Sequence, residues 1–201
     1  MLNFDPESHI YTIDGKIVPS VTGVVARVRN GFAVSDAVIN QAARRGSIIH
    51  EYCELIDYGA PPELVEPQLV GYVNAYQAFL RDYMPKWEYI EKPLGDAELG
   101  FAGTLDRLGV IGKRKAIVDI KTTSSMDREA KIQLACQLAG YGILANSNGL
   151  GVDFDYLGVN LKANGKYTVI NRRDIEKRYG FDASCLFATL LLVEKIVGGK
   201  E

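Results

Sequence analysis

The chain has 201 residues, 47% of them hydrophobic and 24% charged, with a formal net charge of −2. That size and balance fit one ordinary globular domain and exclude global disorder, and no apolar run approaches the roughly 20 residues that span a bilayer. Cys53, Cys136 and Cys185 are too few and too widely spaced for a disulfide framework, a CxxC zinc site or an all-cysteine iron–sulfur cluster. The opening MLNFDPESHI has neither the positive charge nor the apolar stretch of a secretory leader, so a cytoplasmic location without a membrane partner is expected. Basic residues gather at Arg44–Arg45, Lys113–Lys115 and Arg172–Arg178, a pattern commoner on solvated faces than in nucleic-acid grooves, so charge alone leaves that partner open.

Residues 9–18 read as a hairpin, because Asp14-Gly15 can supply the positive φ angles of a tight turn. Pro19-Ser20 ends it and a helix starts from Ser20. Ser35 is the expected N-cap of a helix over 36–57, closed by Gly59, and after Pro61-Pro62 a second helix is expected over 64–83. The period then changes: Trp87–Pro93, Gly103–Val110 and Ala116–Thr122 read as strands. Asp127–Asn146 reads as a long helix with acidic residues at its positive end. Strands over 153–161 and 166–171 follow, joined by Asn164-Gly165, and an apolar helix over 182–197 stops at Gly198-Gly199. The expectation is one α/β (α+β) domain over 1–201. It comprises an N-terminal hairpin extension (1–30), a helical part (31–85), a sheet core (86–171) containing the helix 127–146, and a C-terminal helix (172–201).

The segment GTLDRLGVIGKRKAIVDIKTT, residues 103–123, carries the chemistry. Folded as a hairpin turning at Ile111–Arg114, it places Asp106 opposite Asp119. Directly opposed side chains lie about 5 Å apart at Cβ, where like charges repel. Such a pair in a half-buried sheet calls for a shared proton or a cation. Lys121, two residues on, projects from the same face and neutralises one charge only. A divalent, oxygen-seeking ion suits the remainder. The alternative is a surface hairpin with an ordinary Asp–Lys salt bridge.

Gln133, Gln137 and Tyr141 form one helical stripe, beside an apolar stripe of Ile132, Ala135, Ala139 and Ile143. It either orients water or phosphate near the acids or faces solvent. Gly46, His50 and Glu54 repeat at the same spacing, and His50 is a candidate metal ligand that tilts preference slightly towards Mn²⁺. Tyr52, Tyr58, Tyr72, Tyr76, Tyr83 and Trp87 suit base stacking or, more simply, core packing.

Together these pieces resemble the PD-(D/E)XK nuclease superfamily, in its RecB-like, phage-type exonuclease branch. The motifs are G-x-x-x-H at Gly46–His50, G-x-x-D at Gly103–Asp106, D-x-K at Asp119–Lys121 and Q-x-x-x-Y at Gln137–Tyr141, in that order. The opening YTIDGKIVPSVTGVV is also similar to phage-type members. The resemblance implies a restriction-endonuclease-like core, a central mixed β-sheet flanked by helices. It implies Mg²⁺ or Mn²⁺ held by His50, Asp106, Asp119 and the backbone carbonyl of Ile120, with no iron–sulfur cluster. Lys121 would orient or deprotonate the attacking water and stabilise charge on phosphorus, while Gln137 and Tyr141 position the strand or the water. Arg45, Gly46, Arg107, Thr122, Thr123 and Gln133 would contact DNA, and Glu54 and Glu91 would support the site. The implied activity is a metal-dependent exonuclease on linear single- or double-stranded DNA in phage or prophage recombination or repair, with a recombinase or single-strand-binding protein as candidate partner. Three rivals stand beside it: a restriction-type or structure-specific endonuclease, a DNA-binding module without cleavage, and an unrelated α/β protein with a structural salt bridge.

Overall fold

A computed structural model describes residues 1–6, 8–29 and 36–198. The first sheet is an antiparallel trio, β1 (Leu2–Asp5), β2 (Ile10–Ile13) and β3 (Lys16–Val18), in that order. Asp14 and Gly15 turn β2 into β3 with φ of 50° and 77°, the two left-handed residues that a tight hairpin requires. Helix α1 (Val21–Ala26) follows at once, because the Ser20 hydroxyl accepts the Gly23 N–H and caps it. β1 was not expected: four residues are too few to display a period.

Helix α2 (Asp36–Asp57) has its expected span and ends before Gly59, while Ser35, its expected cap, lies outside the described residues. Helix α3 (Val70–Tyr83) begins six residues later than expected. Pro67 supplies no N–H and biases Glu66 away from helical backbone, so a helix begun at 64 cannot run through it.

The second sheet holds β4 (Lys86–Asp96), β5 (Phe101–Ile111), β6 (Arg114–Lys121), β7 (Asp155–Leu161) and β8 (Tyr167–Asn171) in sequential order. All neighbours are antiparallel except β6 and β7, which helix α4 (Arg128–Ser147) connects in parallel. Asp127 caps α4 through the Ala130 N–H. Between β7 and β8, Gly165 takes φ +80° but Asn164 keeps a negative φ, so the connection is a longer loop rather than a two-residue turn. The chain ends in α5 (Arg172–Tyr179) and α6 (Ala183–Gly198). α5 escaped the sequence reading because only Ile175 of RRDIEKRY is buried, leaving no apolar stripe to recognise.

The five-stranded sheet separates two apolar layers, one shared with α1, α4 and α6 and the other with α2 and α3. Along β6, Ala116, Val118 and Ile120 enter the second layer while Ile117 enters the first. Strand alternation therefore puts Asp119 and Lys121 on the α4 side. Tyr72 and Tyr76 are buried in the second layer, so core packing accounts for them. Among the described residues no helix is long and apolar enough to cross a membrane.

Candidate active site

A two-residue turn at Gly112 (φ 63°) and Lys113 pairs Ile111 with Arg114, and the ladder continues to Arg107 with Val118. The paired ladder stops there, one step short of Asp106 and Asp119, which follow on the two strands. There the backbone ladder gives way to a side chain: Asp106 Oδ2 accepts the Ile120 N–H at 2.6 Å. β6 leans onto β7 instead, with Asp119 beside Gly158. On the other flank, β4 pairs Ile90 with Arg107 and Lys92 with Leu105, which sets Glu91 opposite Asp106. Glu91, Asp106 and Asp119 thus form a row across three neighbouring strands. Glu91 has φ 45°, a left-handed conformation that costs a residue bearing a Cβ energy and that concentrates at functional sites.

His50 reaches this row from α2, over the end of the sheet. Its Nε2 lies 3.1 Å from the Ile120 carbonyl, and its Nδ1 lies 3.5 Å from Glu91 Oε1 and 3.7 Å from Asp106 Oδ2. Burial alone would lower the His50 pKa, but Asp106 and Glu91 outweigh it and hold it up near 9. Burial also raises Asp106 above the usual carboxylate range, opposed by His50 and reinforced by Glu91. Burial raises Asp119 to about 6, with Lys121 opposing and Asp106 adding to the shift.

Asp119 is 1% exposed, and although Lys121 Nζ stands 2.8 Å from its Oδ2, neither carboxylate oxygen has an aligned hydrogen-bond donor. Lys121 offsets the charge of Asp119, and the lone pairs that no aligned donor fills are free for a cation. His50, Glu91 and Asp106 each offer a ligand atom within 4.8 Å of the others, a group that can hold a metal ion. The 3.1 Å contact between His50 Nε2 and the Ile120 carbonyl is a hydrogen bond that fixes the ring and turns Nδ1 towards Glu91 and Asp106. The donor set of oxygens and one imidazole fits a hard or borderline divalent cation.

Lys121 donates to Gln137 Oε1 at 2.9 Å, and Gln137 Nε2 donates to the Tyr141 hydroxyl at 3.1 Å. Gln137 and Tyr141 are buried, so this part of the α4 stripe faces the acids, while Gln133 is half-exposed. Close approach of α4 depends on missing side chains: a Cβ on Gly103 would meet Val21 and Tyr141 carbons at 2.8 and 3.1 Å, and one on Gly158 would meet Leu134 at 2.4 Å. Gly103 therefore makes room for packing, whereas a Cβ on Gly46 would meet only Thr122 Oγ1, at 3.8 Å.

His50, Glu91, Asp106, Asp119, Lys121, Gln137 and Tyr141 line one cleft of about 730 Å³, together with Gly46 and Glu54. Arg45, Thr122, Thr123 and Gln133 do not line it. Arg45 lies 6.0 Å from the Tyr72 ring, and Thr123 bonds to the Ser125 carbonyl. Arg107 corrects the expectation of a DNA contact: it has no exposed surface. It donates to Asp57 Oδ2 at 2.6 Å and Glu91 Oε1 at 2.8 Å, on the sheet face opposite Asp106. Tyr76 and Trp87 complete Asp57, at 2.6 and 3.0 Å. Glu91, expected only as a supporting residue, is thus gripped between this interior cluster and His50. The signal was the short Asp96–Phe101 turn, whose register aligns Glu91 with Asp106.

No protein-family model and no curated protein matches the chain. Among solved structures it is similar to the crystal structure of LHK-Exo in complex with dAMP, at 15% identity and a TM-score of 0.34, over 91% of this chain and 94% of that one.

Proposed function

We propose that the chain is a metal-dependent deoxyribonuclease that hydrolyses phosphodiester bonds at the ends of linear DNA. The observation that supports it is the carboxylate row Glu91–Asp106–Asp119 with Asp119 lacking aligned donors, His50 at one end and Lys121 at the other. A binding module needs no such concentration of acid. A structural Asp119–Lys121 salt bridge leaves the other acids and the open cleft unexplained.

The residues that would hold the ion are His50, Glu91, Asp106, Asp119 and the Ile120 carbonyl. A bound Mg²⁺ or Mn²⁺ would supply charge neutralisation at the phosphate and a water of lowered pKa. Lys121, fixed between Asp119 and Gln137, has its ammonium where it can orient the attacking water and stabilise the negative charge developing on phosphorus. Gln137, tied to Tyr141, keeps that ammonium from folding away. The imidazole of His50 favours Mn²⁺ slightly over an all-oxygen preference. Action at ends rather than within circles, a role in phage-type recombination or repair, and a recombinase or single-strand-binding partner follow from the motif resemblance.

Digestion of end-labelled single- and double-stranded oligonucleotides and closed circular DNA, with Mg²⁺, Mn²⁺ or chelator, tests the reading. Metal-dependent loss of linear DNA from its ends with circles intact is the expected result. Nicking of circles would replace it with an endonuclease. Binding without cleavage under every metal would leave only a binding module.

A further inference from the structure

The cleft has a second wall, opposite in character to the first. Among the described residues its lining sets the acids Glu51, Glu54, Glu91, Asp106 and Asp119 against Lys121 and His50. A polyanion therefore gains little from permanent charge there beyond what a bound ion supplies, and affinity has to come from another source. The N-terminal sheet furnishes one. Phe4, His9 and Tyr11 also line the cleft. Phe4 and Tyr11 stack across β1 and β2 with ring centres 4.5 Å apart and planes 20° from parallel. His9 follows at 5.9 Å from Phe4, tilted by 54°, and is the exposed outer member of the row. His9 holds φ 53°, a left-handed conformation that a non-glycine residue seldom adopts.

The row is anchored to the acid-bearing strand. The Tyr11 hydroxyl shares a 2.8 Å hydrogen bond with Thr104 Oγ1, two residues or about 7 Å along β5 from Asp106. The Tyr11 phenol is raised chiefly by burial, and the charges of Glu91 and Asp106 push it further, which places the ring within electrostatic reach of both acids. The core of the small sheet does not need His9 for packing, since the residue is exposed.

Resting on the nuclease reading, we propose that the Tyr11–Phe4–His9 row receives an unpaired nucleobase beside the reacting phosphate, so that the strand entering the cleft is single-stranded there. A base that extends this row by stacking must leave its partner and neighbour in a duplex. Because every base has a π-face, the contact discriminates strandedness and not sequence.

The test uses a single strand carrying 2-aminopurine at its terminal position, bound in Ca²⁺ in place of Mg²⁺. The wild-type protein is expected to quench its fluorescence. His9→Ala and Phe4→Leu are expected to lose the quench and to bind about fivefold to a hundredfold more weakly, the range seen when a stacking aromatic is removed. They should retain wild-type Mn²⁺ affinity by calorimetry. If Phe4→Leu fails to fold, His9→Ala decides alone, its residue being exposed. In Mg²⁺ or Mn²⁺, single strands should be cut faster than blunt duplexes by wild type and lose that advantage in the variants. Intact Mn²⁺ binding and cleavage with unaffected variants, or equal binding of an abasic terminal nucleotide, overturns this inference alone. Absence of both Mn²⁺ binding and cleavage overturns the nuclease reading and this inference with it.

Discussion

Asp119 concentrates the chemistry of this protein in one side chain. Its carboxylate is buried and lacks aligned donors, and its pKa stands near 6 instead of 3.8. The folded state therefore binds its proton more tightly than the unfolded chain does. Asp119 favours folding below about pH 4, and that contribution is lost as pH rises to about 6. Asp119→Asn is accordingly expected to abolish cleavage yet to melt no lower than wild type without metal, with its advantage appearing between pH 4 and 6 in calorimetric scans. His50, raised from 6.5 to about 9, behaves in the same direction at higher pH: its contribution is complete below about pH 6.5 and lost by about 9. His50→Gln should therefore be destabilising at pH 6 and less so at pH 9. Lys121→Ala should spare Mn²⁺ binding while slowing cleavage by about a hundredfold or more, measured under single-turnover conditions.

Between elements, two contacts decide how the acids are presented. The first is the interior cluster of Arg107 and Asp57 with Tyr76 and Trp87, which joins α2, α3, β4 and β5 and holds Glu91. Arg107→Met leaves Asp57 without a charge partner and Glu91 with His50 alone, so a loss of about 3–5 kcal/mol is expected, on the order of 10 °C in melting temperature. Mn²⁺ affinity should fall too, and the fall should vanish in a Glu91→Gln background if the cluster acts by placing Glu91. The second contact is α4 on the sheet. Gly158→Val would drive carbon into Leu134 and push α4, with Gln137 and Tyr141, away from Lys121. Overpacking of this kind costs about 1–3 kcal/mol, and slower cleavage at unchanged Mn²⁺ affinity is expected.

In the whole molecule the candidate ligands come from α2, β4, β5 and β6, so the site exists only in the assembled fold. Metal binding is then linked to stability. At a concentration of a hundred dissociation constants, Mn²⁺ should add about 2.7 kcal/mol, reversed by chelator. The gain should be larger at pH 8 than at pH 5, because the ion competes with protons on Asp106, Asp119 and His50. A melting temperature indifferent to Mn²⁺ at both pH values would count against the metal site.

The sequence alone determined the local framework. Asp14-Gly15, Ser20, Gly59 and Asp127 are turn and cap residues whose backbone preferences act within a few positions, and the elements they bound formed as expected. The register of β5 on β6 up to Arg107 and Val118 was legible for the same reason, because a short turn fixes the pairing beyond it, while the acids themselves lie just past the last paired residues. Short or polar elements such as β1 and α5 left no period to read. Arg107 looked like a surface cation because its hydropathy is a surface residue's. Only the tertiary structure supplies Asp57 and Glu91 to compensate it inside. Likewise the meeting of His50 with Ile120, 70 residues apart, and of the N-terminal aromatics with the acid-bearing strand, depends on how distant segments pack. Burial and charge compensation are sums over those distant neighbours, and no local stretch of chain contains them.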